Sequence, residues 1–259
     1  MRALTPTLSH LRRAREHTSM TWRRHPIFVL AHKELFTLFN SPATYIVCVL
    51  FLVISGWLFA IPLFQVNQSN LDTFVRPLPL IFTFLIPALT MRSFSEEFKS
   101  GTIEYLATLP IKDYEIVLGK YLGSLGWLGI LMGFTLIYPA ILIVIGRPDY
   151  GQLIGAYAAV LGLGAFFTAI GVWASALTRN QVVAFIVSFF ICFVLFLLDK
   201  MADFAPGIIA PFIRTLGVNP HFDALSRGVL DTRDILYWVS GSFFFLTACL
   251  AVMNSRRWR

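Results

Sequence analysis

Glu96 and Glu97 stand side by side, and paired carboxylates are groups that can do general acid–base work. Their spacing argues against it, because neighbours in sequence leave a helix or strand in different directions and rarely converge on one substrate. The five histidines are His10, His17, His25, His32 and His221. Four lie near the N-terminus, the fifth is remote, and no H-E-x-x-H exists, so no metal site is expected. Gly119-Lys120 is followed by Tyr121 and lacks the upstream spacing of G-x-x-x-x-G-K-S/T, so no nucleotide is expected by that route. Cys48, Cys192 and Cys249 sit singly in apolar runs, where thiols behave as small hydrophobes. These residues predict a chain that is not an enzyme and that carries no catalytic residue, metal or cofactor. Any driven movement must then draw its energy from another chain.

The elements around these residues are read from charge. Of 259 residues, 57% are apolar and 14% charged, against about 25% charged in soluble domains. Six segments contain no Asp, Glu, Lys, Arg or His: residues 43–61, 78–91, 121–145, 153–177, 181–198 and 235–253. A membrane-spanning helix needs about 20 mostly apolar residues. Five segments meet this directly. The second, residues 78–91, covers only about 21 Å. It reaches span length over residues 77–94 if Arg92 snorkels, with Pro79 and Pro87 bending it. A re-entrant segment is the alternative.

Charge placement favours six crossings. With both ends inside, the inside pieces hold fifteen Lys or Arg and seven Asp or Glu, the outside pieces six and seven. This is the positive-inside pattern, so the formal net charge of +7 reads as a topology signal and not as a nucleic-acid surface. The expected location is a bacterial cytoplasmic membrane, multi-pass, with both termini cytoplasmic. Residues 1–19 lack a long apolar run and read as an extension, with Met20 as the expected start. Residues 20–259 read as a single membrane domain.

Residues 26–40 read as a helix in the membrane interface, with Phe28, Ala31, Leu35, Leu38 and Phe39 on one side and Lys33, Thr37 and Asn40 on another. The link at 178–180 is so short that the fourth and fifth spans must form a hairpin. The long loop, residues 199–234, is apolar enough to predict short helices tucked against the outer end of the bundle. Gly119/Gly123, Gly129/Gly133 and Gly151/Gly155 recur four apart, a spacing that lets helix backbones approach.

Residues 92–120, RSFSEEFKSGTIEYLATLPIKDYEIVLGK, carry nine charges between charge-free runs. Gly101 permits a turn, Thr102 can cap a short helix over 102–109, and Pro110 stops it. Ile103, Leu106 and Leu109 give that helix an apolar edge, with Glu104 and Tyr105 for polar contact. A second helix starts at Asp113, with Glu115 in its first turn, where negative charge suits the dipole. It runs on into the third span, passing Lys120 at the surface. Glu96, Glu97 and Lys99 are expected to hold a soluble partner, and a push on 102–109 would move the second and third spans together.

These stretches resemble the ABC-2 type permeases. The matching segments are HKELFTLFNSPATYIV (32–47), FLIPALTMRSFSEEFKSGTIEYLATLPIKDYEIVLGKYLGS (84–124), LTRNQVVAFI (177–186) and SRGVLDTRDILYW (226–238). The E-E-x-K-S-G-T-x-E-x-L…P run at 96–110 is similar across that family. MRSFSEE (91–97), LTRNQVVAFI and SRGVLDTRD look like the branch associated with gliding motility. The resemblance implies an all-α polytopic fold of the type V exporter kind, with six transmembrane helices, an N-terminal interfacial helix and a cytoplasmic coupling helix. It implies a coupling region at 95–120, with 102–109 the helix that meets a cytoplasmic ABC ATPase, which binds the ATP and Mg. It also implies a second permease-like subunit with a large extracytoplasmic domain, or a homodimer partner. Two other readings share the fold: an exporter for a drug, lipid, polysaccharide or metalloenzyme-maturation substrate, and a structural subunit that transmits force and transports nothing.

Overall fold

The computed structural model describes residues 26–65, 72–102, 111–145, 149–204, 206, 209–229 and 231–257. Residues 1–25 and 103–110 lie outside them, and with them the expected extension, the start at Met20 and most of the helix over 102–109. The described residues form helices and turns only. In chain order the helices are α1 Pro26–Phe39, α2 Pro42–Gln65, α3 Asp72–Val75, α4 Leu78–Thr90, α5 Ser95–Ser100, α6 Asp113–Thr135, α7 Ile137–Ile145, α8 Tyr150–Leu177, α9 Gln181–Ala202, α10 Ala210–Leu216, α11 Val218–Ser226 and α12 Thr232–Arg257.

Six helical stretches are long and apolar enough to cross a membrane: Pro42–Ile61, Leu78–Ser100, Asp113–Ile145, Tyr150–Leu177, Gln181–Ala202 and Thr232–Arg256. The second crossing is α4 carried through a turn into α5. Its sequence is unfavourable, with Pro87 inside it, yet Leu78, Phe82 and Ile86 are fully buried. Packing among neighbouring helices holds what the prolines weaken.

The core lies where α4, α6 and α8 meet, around Phe82, Leu128, Leu163 and Phe167, all fully buried. α8 is the central post. Asp149 accepts from the Gly151 amide at 2.8 Å and so caps its start. Residues 178–180 turn the chain back into α9, whose start is capped by Asn180 accepting from the Val182 amide at 3.0 Å.

The third crossing differs from the continuous helix expected over 121–145. It breaks at Leu136 into α6 and α7. Pro139 has no amide hydrogen, so the Thr135 carbonyl loses its helical donor. The Tyr157 hydroxyl on α8 supplies a replacement, donating to that carbonyl at 2.8 Å. Beyond the break, Tyr138 stacks on Phe59 at 4.7 Å, meets Phe74 edge-on at 5.1 Å and bonds the Ser55 hydroxyl at 3.0 Å. α7 is thereby tied to α2 and α3.

The 199–234 loop holds two helices of opposite character. α11 buries Val218, Phe222 and Leu225, whereas α10 buries nothing and leaves Phe212 and Leu216 exposed.

Candidate functional site: a buried ion cluster at the charged end

α1 presents to the protein a different side from the one its composition suggests. Leu30, Glu34 and Leu38, each four residues apart, are buried, while Phe28 is 70% exposed. This buried stripe lies along α6. Gly119 and Gly123 make the approach possible: a Cβ at Gly119 would stand 2.5 Å from the Leu30 Cβ, and one at Gly123 would stand 2.6 Å from the Glu34 Cβ and 2.8 Å from the Ala31 carbonyl. Among the described residues, apart from the helix's own nearby backbone, no atom approaches within 4 Å of the corresponding points at Gly129 and Gly133. Among the described residues, the first of these two pairs packs α6 against α1, and Gly129 and Gly133 face open space.

Lys120 lies between the two packing glycines and turns inward. It is 4% exposed, against the expectation of a surface lysine. Glu34, 8% exposed, approaches it from α1 at 3.2 Å, and Glu97 from α5 at 3.0 Å. The ammonium also donates to the Ser93 carbonyl. Its three hydrogens therefore have three acceptors. The Phe94 ring covers it at 5.0 Å, within the range of a cation–π contact. Lys33 reaches the same Glu97 oxygen at 3.6 Å from the solvent side. Two cations and two anions balance, which is how charge is tolerated away from water.

α5 is fastened from several directions. Besides the two Glu97 ion pairs, the Phe94 amide at its start donates to the Ser175 hydroxyl of α8 at 3.3 Å. Phe98 lies under the Arg256 guanidinium at 4.5 Å, and Arg256 also donates to the Leu177 carbonyl at the end of α8. Just before α5, Arg92 donates to the Ser41 hydroxyl at 2.9 Å, between α1 and α2. One six-residue helix thus touches α1, α6, α8 and α12.

α5 ends where sequence marks it. Gly101 has φ of 71°, the left-handed conformation that glycine adopts most easily. The next described helix begins at Asp113, with the Glu115 carboxylate accepting from the Lys112 amide at 2.8 Å. Among the residues expected to meet a partner, Glu96, Lys99 and Thr102 are exposed and Gly101 is half-buried. Glu97 is turned inward, its side chain 15% exposed. Ile103, Glu104, Leu106, Leu109 and Pro110 lie outside the described residues. The inward Glu34 was not singled out from sequence. Its signal is a lone acid in the Leu30–Leu38 register of a helix that otherwise buries apolar groups.

A family model described as "ABC-2 family transporter protein" matches residues 28–225. The chain belongs to this family. No curated protein matches its sequence. ABC-2 chains are the non-catalytic membrane-spanning part of ABC transporters, and they pair with a cytoplasmic ATPase. Among the described residues no group of three or more His, Cys, Asp or Glu could hold a metal ion. Each charge of the ion cluster has an opposite charge beside it, while the Glu97 Oε2 is buried with no hydrogen-bond partner among the described residues. The cluster ties α1, α5 and the start of α6 together.

Proposed function

We propose that this ABC-2 permease is driven through residues 95–120 by a cytoplasmic ATPase, with 102–109 as the coupling helix and the Glu34–Lys120–Glu97 cluster as the joint behind it. The observation carrying this reading is Lys120 itself. A fully compensated ammonium joins three elements at the end of the charged segment that links the second and third spans. Glu96, Lys99 and Thr102 face outward to receive the partner, and Glu97 faces inward to pass its displacement to α1 and α6. On this reading the charged end and both termini are cytoplasmic, as the charge count favours. The resemblance of the segments at 91–97, 177–186 and 226–234 supports the further reading that the chain belongs to the gliding-motility branch, with a second permease-like subunit or a homodimer partner.

Gentle extraction of the native complex with identification of every subunit is the first experiment. A cytoplasmic ATPase should copurify. Glu96→Lys and Leu106→Asp should each release it or uncouple its ATP turnover from transport, and full binding and transport in both would overturn the coupling assignment. Deletion of the gene should abolish surface gliding. Unimpaired gliding would remove the branch assignment and leave an exporter of another substrate. ATP turnover that no transported compound stimulates would favour a subunit that transmits force alone.

A further inference from the structure

The ion cluster does not account for an opening between α8 and α12. A lateral groove of about 470 Å³ runs between α8 and α12. Its α8 wall is Ala158, Gly162 and Ala165, three small residues on one helical stripe. Its α12 wall runs from Ile235 to Leu246, with Val239 and Phe243 standing exposed at the rim. Tyr121 closes one end, its hydroxyl already donating to the Ala165 carbonyl at 3.3 Å.

Dimensions decide the occupant. Ile235 to Leu246 spans about 16 Å along a helix, roughly half of a hydrocarbon core of about 30 Å. The volume spread over that length gives a cross-section of about 30 Å² along an open groove, well below that of a whole helix about 10–12 Å across. Non-bonded carbons settle about 3.5–4.0 Å apart, so a single polymethylene chain can lie in such a groove. The far end is formed by Leu225 and Ile235. Each lies two residues from an exposed arginine, Arg227 and Arg233, with exposed Asp223 and Asp231 nearby. Arg233 stands just before the charge-free run 235–253, where basic residues flank a membrane-spanning segment.

We infer that this groove holds one acyl chain of a membrane phospholipid, lying along α12 with its phosphate toward Arg227 and Arg233. The chain would complete the packing that Ala158 and Ala165 leave open beside the Trp238 indole that covers Gly162, whether or not an ATPase drives the bundle.

The test is photolabelling of the full-length protein in nanodiscs made with a phosphatidylcholine carrying a mid-chain diazirine, followed by peptide mapping. Label should concentrate on the peptides bearing residues 158–165 and 235–246. Ala158→Phe and Ala165→Phe should each lower that label about tenfold, equivalent to losing roughly two buried methylenes, and leave label elsewhere unchanged. The wild-type map decides the matter even if either variant fails to fold. Label spread evenly over all membrane-facing helices would overturn the inference, leaving ordinary solvating lipid. So would efficient disulfide linkage of two copies through Val239→Cys, which would make the groove part of an interface between copies.

Discussion

Lys120 has two carboxylates, one carbonyl and one aromatic face around its ammonium, and almost no water. Removing one partner from such a cluster leaves the others charged and buried, which typically costs about 3–5 kcal/mol. Lys120→Met should therefore destabilise the protein by about that amount, measured by denaturant unfolding in detergent. Adding Glu34→Gln should restore part of the loss. Failure to restore any would show that Glu34 is not a counter-charge of Lys120. The residue-scale reading of the sequence was least complete here. Glu97 was legible as important but its direction was not, because neighbouring carboxylates Glu96 and Glu97 differ only in the helical face they occupy. Glu34 was hidden because a Lys-Glu pair in a half-polar helix reads as a solvated face until its partner across 86 positions is known. A second residue-scale prediction concerns Tyr157. Tyr157→Phe leaves the Thr135 carbonyl without its donor and should cost about 1–3 kcal/mol. Pro139→Ala in the same background should recover much of this by restoring a helical amide, as read by the shift in unfolding midpoint.

Among the elements, the α1–α6 seam depends on two missing side chains. Gly123→Ala would set a methyl within 3 Å of the Ala31 carbonyl and the Glu34 stem. Overpacking of this kind typically costs about 1–3 kcal/mol. Gly129→Ala, six residues on in the same helix but with nothing near it, should instead stabilise by about 0.5–1 kcal/mol, because alanine is the better helix former. Thermal unfolding of the two variants should shift in opposite directions, and a common sign would mean that the seam is looser than drawn. Sequence showed both glycine pairs alike, since four-residue spacing marks an available face and says nothing of what comes to it. The helical character of α1 was similarly legible, but not which side it would bury, because its burial is set by the ion pair as much as by apolar residues. The break after Thr135 could have been read from Pro139, which lies far enough inside the third apolar run to strip a carbonyl of its donor.

For the whole molecule, six crossings were readable because charge is excluded from hydrocarbon whatever the details of packing. The orientation proposed from charge is open to direct measurement. Cys48, Cys192 and Cys249 are all buried, so they should not react with a membrane-impermeant maleimide in intact cells. Introduced separately, Phe204→Cys should be labelled in intact cells, whereas Lys99→Cys should be labelled only after permeabilisation. The reverse pattern would invert the topology. The parting of α6 from α7 has its consequence at this scale too. The first two-thirds of the third crossing is bound to α1 by the ion cluster and the glycine seam, while the last third is held to α2 and α3 through Tyr138. One crossing therefore serves two clients, and the gap at Leu136 acts as a wrist between them. On the proposed coupling, a rotation delivered at the charged end would be absorbed there, with the Tyr157 hydroxyl as the detent that sets the resting angle. The far side of the bundle would then learn of the stroke through α8, and not by a straight push along the third crossing.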